Sequence, residues 1–282
     1  MLQFNNKLYY WNMQMKKLII NADDFGISKE TNIAIKQGFE AGIITATSLI
    51  VNLEAFEHAI FDILPSCNGL DVGFHFNIIE GKSITNQPLL CDQNGVFNNS
   101  YGQLIINSFN KDFLKQVEIE FRAQIEKAIA HCKISHIDSH VHTHAIPNIF
   151  KLVSKLADEY NIPFVRTQKE IPYIVWKKAF KIKFAINIIK NALLNTFTAI
   201  NKTKKTNDYF IGILYTGFMD EEAILKGLSN IKKDNSITEV IFHPTIDENK
   251  RSNYKEFLIT QNPNFKEELK NSGFALSNYI NS

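Results

Sequence analysis

Short apolar runs alternate with amphipathic stretches from residue 17 to about residue 243, and this rhythm admits few architectures. A strand followed by a crossover helix and another strand gives parallel strands with helices on the sheet faces. The expected strands are Leu18–Asn21, Thr47–Asn52, Asp71–Phe76, Ser135–Ser139, Pro163–Arg166, Phe210–Ile213 and Thr238–Phe242. Helical patterns lie near 28–41, 54–63, 111–132, 147–160 and 220–231. The fold class is therefore α/β, either a barrel or an open sheet. About seven strands favour a distorted (β/α) barrel over a complete eight-stranded one. No internal repeat is visible.

A chain of 282 residues, 45% of them hydrophobic, suits one such domain. We take it to span 16–282 behind an N-terminal extension over 1–15. Two segments break the rhythm. Residues 77–110 read as a loop rich in Asn and Gly, long enough to be functional. Residues 171–207 carry eight lysines and no acidic residue, interleaved with Trp176, Phe180, Phe184, Ile188, Ile189, Leu193 and Phe197. Such a segment can cover the barrel with its lysines in water, close over a site, meet another subunit or lie on a membrane surface.

A formal net charge of +2 gives no case for nucleic acid. Cys67, Cys91 and Cys132 form no C-x-x-C pair, which argues against a disulfide framework or a cysteine zinc site. They suit a reducing compartment. The first fourteen residues hold no uninterrupted apolar core, so no secretory signal and a cytoplasmic location are expected.

Candidate chemistry gathers at strand tips. The run Lys17–Gly26 ends in adjacent carboxylates, Asp23 and Asp24, whose side chains diverge and can take different tasks. Either could instead cap the following helix. His75 ends another strand, and Val240-Ile241-Phe242-His243-Pro244 ends a third. In Asp138-Ser139-His140-Val141-His142-Thr143-His144, strand alternation puts Asp138, His140, His142 and His144 on one face. One histidine is more often structural than catalytic, but three His-bearing tips beside paired aspartates are hard to assign to packing. Mixed His and Asp ligands suit a divalent metal with open positions for water and substrate. The constellation points to metal-assisted hydrolysis without naming the bond that breaks.

These motifs, together with Ile19–Gly26, Gly42-Ile43-Ile44-Thr45-Ala46-Thr47-Ser48 and Val72-Gly73-Phe74-His75, arrive in one order over residues 16 to about 250. In this the chain resembles the YdjC family of carbohydrate deacetylases, which includes chitooligosaccharide deacetylases on distorted barrels. The resemblance implies that Asp24, His75 and His140 bind the metal. It makes Asp23 the general base and His243 the general acid, with Arg166 orienting the catalytic aspartate. Asp138, His142 and His144 would contact substrate or support the ligands. It also implies an N-acetylated sugar as substrate, magnesium as the metal and a homodimer. The ligand types themselves suit zinc.

Three other readings fit the same residues. Another metal-dependent barrel amidohydrolase or phosphoesterase could use the H-x-H run, although amidohydrolases commonly carry theirs at the first strand. A non-catalytic carbohydrate-binding barrel would be expected to lack one of these residues. A deacetylase acting on a membrane glycolipid would give the basic segment a purpose.

Overall fold

The computed structural model describes residues 15–203 and 205–282, so positions 1–14 of the expected extension lie outside the described residues. Strand β1 (Lys16–Phe25) lies at the centre, followed by helix α1 (Lys29–Glu40) and β2 (Ala46–Leu49). After β3 (Asp71–Phe76) come α2 (Tyr101–Asn107), α3 (Lys111–Ile129), β4 (His136–Ser139), α4 (Pro147–Glu159) and β5 (Phe164–Val165). The remainder is α5 (Ile182–Ile200), β6 (Tyr209–Ile211), α6 (Glu221–Ser229), β7 (Ile237–Phe242), α7 (Arg251–Thr260), α8 (Pro263–Asn271) and β8 (Phe274–Ser277).

The sheet order is β5-β4-β3-β2-β1-β7-β6, with every pairing parallel. All seven expected strands are present, as is the distorted barrel. Strand β8 was not anticipated; it pairs with the first half of β1, from Lys16 to Ile19, before β2 takes over from Asn21. It brings Tyr279 to stack on His136, ring centroids 3.7 Å apart, within the barrel's buried floor.

Strands β5 and β6 do not pair, and a side chain closes the seam between them. Asn207 accepts a hydrogen bond from Thr167 N at 2.9 Å and donates to Thr167 O at 2.8 Å and Tyr209 O at 3.0 Å. Val165 N to Lys205 O and Phe210 N to Lys169 O extend the contact. The sheet thus curls into a barrel whose join is made by an amide rather than a ladder.

Local signals explain most of the helices. Ser28 caps α1, accepting from Thr31 N, so neither Asp23 nor Asp24 serves as that cap. Pro147 sits in the first turn of α4, where its missing N–H costs nothing. The pattern at 54–63 becomes a wide π turn, His58–Ile63. The 77–110 segment is not all loop, because Ser100 and Gln103 form a capping box that starts α2.

Candidate functional site

The site begins with a defect in β1. Ala22 pairs with Thr47 and Phe25 with Leu49, so three steps on β1 face two on β2. The extra residue makes a bulge, a device that re-aims side chains. Asp24 takes up the strain at φ 69°. Asp23 consequently points into the barrel, 2% exposed, while Asp24 turns toward the tips of β3 and β4. Gly26 follows at φ 100°, where an added Cβ would lie 2.5 Å from Ile50 O, so only glycine closes this turn.

Asp24 Oδ1 lies 2.9 Å from His140 Nδ1 and 3.4 Å from His75 Nε2. One ligand atom from each of these three residues falls within 4.8 Å of the others. Each imidazole is backed by a carboxylate on its other nitrogen. His75 Nδ1 is 2.6 Å from Asp138 Oδ1, and His140 Nε2 is 3.0 Å from Glu80 Oε2. This carboxylate–histidine arrangement is the one that fixes the ring and tautomer of metal-binding histidines. Asp138 Oδ2 also accepts from Ser48 Oγ at 2.6 Å.

Behind Asp24, His75 and His140 the fully buried Arg166 meets three carboxylates. It donates to both oxygens of Asp23 at 2.7 and 2.9 Å, and to Glu239 at 2.7 Å. Its Nη2 is 2.6 Å from Asp138 Oδ2. Burial would raise the Asp23 and Asp138 carboxyls, but Arg166 and then His75 outweigh it and hold both below the usual range. Glu239, buried with weaker compensation from the same guanidinium, is pushed up to about 7.

The same competition protonates the histidines. Burial opposes charge on His75, yet Asp138 and Asp23 raise it to about 9. His140 likewise reaches about 10 through Asp24 and Glu80. Two imidazole nitrogens and a carboxylate oxygen that converge in this way fit a divalent cation, whose binding would displace the imidazole protons.

His243 stands at the mouth, 28% exposed, with Nε2 3.9 Å from Asp23 Oδ2. Its backbone N donates to Glu256 Oε2 at 2.6 Å, and Asn253 Nδ2 donates to its carbonyl at 2.8 Å. Burial would lower its pKa, but Glu256 and then Asp24 and Asp23 bring it to about 9.

The histidine run departs from the expected one-face alternation. Strand β4 stops at Ser139, and Val141 and His142 adopt left-handed backbone conformations, φ 53° and 55°. Only His140 reaches Asp24. His142 lines the cavity; burial and Arg166 push its pKa down to about 3, and its Nδ1 has no hydrogen-bond partner among the described residues. His144 turns away from the cavity, with Nδ1 2.5 Å from Ser139 Oγ and Nε2 3.1 Å from Arg166 O. It braces the segment that carries Arg166.

Glu80, Glu239 and Glu256 were missed in the sequence. A signal existed for the first. Asn77 Oδ1 accepts from Ile79 N and Glu80 N, a turn that an Asn three residues before Glu80 permits. Glu239 and Glu256 meet their partners only through the fold.

A cavity of about 460 Å³ opens above these groups. Asp23, His75, His140 and His243 line it with polar groups, and Leu193, Ile213 and Ile241 with apolar ones.

Comparison with known proteins follows the same outline. The family described as YdjC-like protein matches residues 17–271. A carbohydrate deacetylase from Clostridium beijerinckii is 40% identical over 149 residues, 52% of this chain and 58% of that protein. The chain thus covers less than two thirds of this relative's length. Carbohydrate deacetylase 1 of Listeria innocua is 32% identical over 246 residues, 85% of this chain and 87% of that protein. A solved structure of a proposed cellobiose-phosphate cleavage protein from Enterococcus faecalis V583 superposes with a TM-score of 0.71. It covers 94% of this chain and 98% of its own at 23% identity, which establishes likeness of fold.

Proposed function

This chain belongs to the YdjC-like protein family, and from that premise we propose that it is a metal-dependent hydrolase removing acetyl groups from N-acetylated sugars. The observation that carries the proposal is the convergence of Asp24, His75 and His140 beside the buried Asp23 and the imidazole of His243. The names of the relatives add the substrate class.

Asp24 Oδ, His75 Nε2 and His140 Nδ1 would hold the ion. The chemistry a divalent ion supplies in such a site is an acidified water and a polarised carbonyl. Asp23 is kept ionised by Arg166, so it can take the proton of the attacking water. Amines leave poorly unless protonated, and His243 carries a proton at neutral pH that it can donate to nitrogen as the C–N bond breaks. The His142 ring lines the cavity beside these groups. Two imidazoles favour zinc, while the family resemblance favours magnesium. The three free cysteines fit action in the cytoplasm.

The test is acetate release from N-acetylglucosamine and chitooligosaccharides of increasing length, using stripped protein reloaded with zinc or magnesium. Release that needs the ion supports the reaction, and the preferred length defines the substrate. A loaded protein that releases no acetate from any of them would remove the sugar-deacetylase reading.

A further inference from the structure

Helix α5 carries apolar side chains on its outer face as well as on its inner one. Its buried face includes Asn187 and Asn191 as well as Phe184, Leu194 and Phe197. Asn187 Nδ2 donates to Leu214 O at 3.1 Å and Thr216 O at 3.2 Å, and Asn191 Nδ2 donates to Glu170 Oε2 at 3.2 Å. Meanwhile Ile182, Ile186, Ile189, Leu193 and Ile200 are all exposed, with Ile182 at 83% and Ile189 at 71%. Their spacings of four, three, four and seven residues place them on one stripe of the helix. A surface helix usually turns polar residues to that side, and an aligned apolar stripe of this kind marks a contact surface.

The strap before α5 continues the surface. Trp176 is 74% and Phe180 is 90% exposed. Lys177, Lys181, Lys183 and Lys190 stand along it, and no carboxylate occurs between residues 171 and 207. Lys178 is committed to Asp220 and Glu222. Isoleucines flanked by lysines, with Trp and Phe at one end, have the composition of a helix lying in an anionic lipid interface. Among the described residues no helix is long and apolar enough to cross a membrane, so the relation would be one of lying upon it.

The surface is continuous with the site. Leu193 belongs both to the exposed stripe and to the cavity wall, beside Lys190 and Leu194. We propose that the outer face of α5 and the preceding strap dock on an anionic membrane surface, presenting the cavity to an acetamido sugar carried by a lipid. The apolar stripe would receive the hydrocarbon part while the sugar reaches Asp23 and His243. Charge complementarity argues for anionic lipid over a second copy of this chain, whose matching face would bring lysines against lysines. The choice of substrate rests on the deacetylase reading; the docking does not.

Co-sedimentation of the full chain with phosphatidylcholine vesicles, with and without phosphatidylglycerol, tests the docking. We expect binding to the phosphatidylglycerol vesicles that weakens with salt. The double substitution Ile186→Glu and Ile189→Glu should weaken it roughly tenfold per side chain. Acetate release from a soluble sugar should be unchanged. Trp176→Ala with Phe180→Ala provides a second variant on the same surface. Folded protein, judged by circular dichroism, that ignores anionic vesicles at low salt overturns the docking. So does a dimer in solution that the isoleucine pair dissolves, since that assigns the face to a second copy. Vesicle binding without acetate release from soluble or lipid-linked N-acetyl sugars would keep the docking and remove the substrate.

Discussion

His243 and His140 are both imidazoles with raised pKa, but their surroundings suit them to the different tasks proposed, and substitution should separate them. His243→Ala should cut turnover by ~100- to 10,000-fold while metal content stays intact. His140→Ala should lose both, because its Nδ1 faces Asp24. Equal metal loss in the two variants would reverse the assignment. The pH profile follows from the His243 value. An acid with a pKa of about 9 is active below it and fails as pH rises through it, so the alkaline limb should fall near that value. Glu256→Gln removes the first partner that opposes burial, and the limb should move to lower pH. The same shift bears on stability. A raised histidine pKa contributes in full below the ordinary 6.5 and is lost as pH climbs through about 9. Glu80→Gln frees the outer nitrogen of His140 and should weaken metal binding by roughly 10- to 100-fold in a titration. Arg166→Ala would leave Asp23, Asp138 and Glu239 buried without their cation. A loss of about 3–5 kcal/mol is expected, read as a fall in the denaturant midpoint.

Among the elements, the seam between β5 and β6 depends on Asn207, and Asn207→Ala should cost about 1–3 kcal/mol in thermal or chemical unfolding. A loss below a few tenths would show that the backbone contacts at Val165 and Phe210 close the barrel unaided. Such a residue is invisible to periodicity, since its importance lies in joining strands forty residues apart in its pairing with Thr167. The strands themselves were legible because buried parallel strands are continuous apolar runs between turn signals. Strand β8 escaped notice because four residues ending in a polar Ser carry little pattern. The departure in the histidine run has a different origin. Strand alternation does not continue past Ser139, because the backbone leaves the strand there and turns left-handed at Val141 and His142. The fold nevertheless brings Asp23, Asp24, His75, His140, Arg166 and His243 together, because each sits at or beside a strand tip. Glu239 and Glu256 lay beyond reach, since their partners are fixed by the curl of the sheet.

At the scale of the whole molecule, the parallel strands point one end of the barrel at a single cluster, with negative charge exceeding what Arg166 can neutralise. An ion that binds the folded chain alone should stabilise it by about 2.7 kcal/mol at one hundred times its dissociation constant. For a protein of this size that corresponds to a rise of roughly 5–10 °C in Tm, measurable by calorimetry with and without chelator. Asp24→Ala should abolish the rise. The cavity above the cluster shares Leu193 with the apolar stripe of α5, so the proposed catalysis and docking would meet on one face. The most direct measurement is acetate release from an N-acetylated chitooligosaccharide by stripped and metal-reloaded protein, in parallel with the Asp24→Ala variant. The account predicts release from the reloaded wild-type chain alone. Equal release from stripped protein or from Asp24→Ala would contradict it.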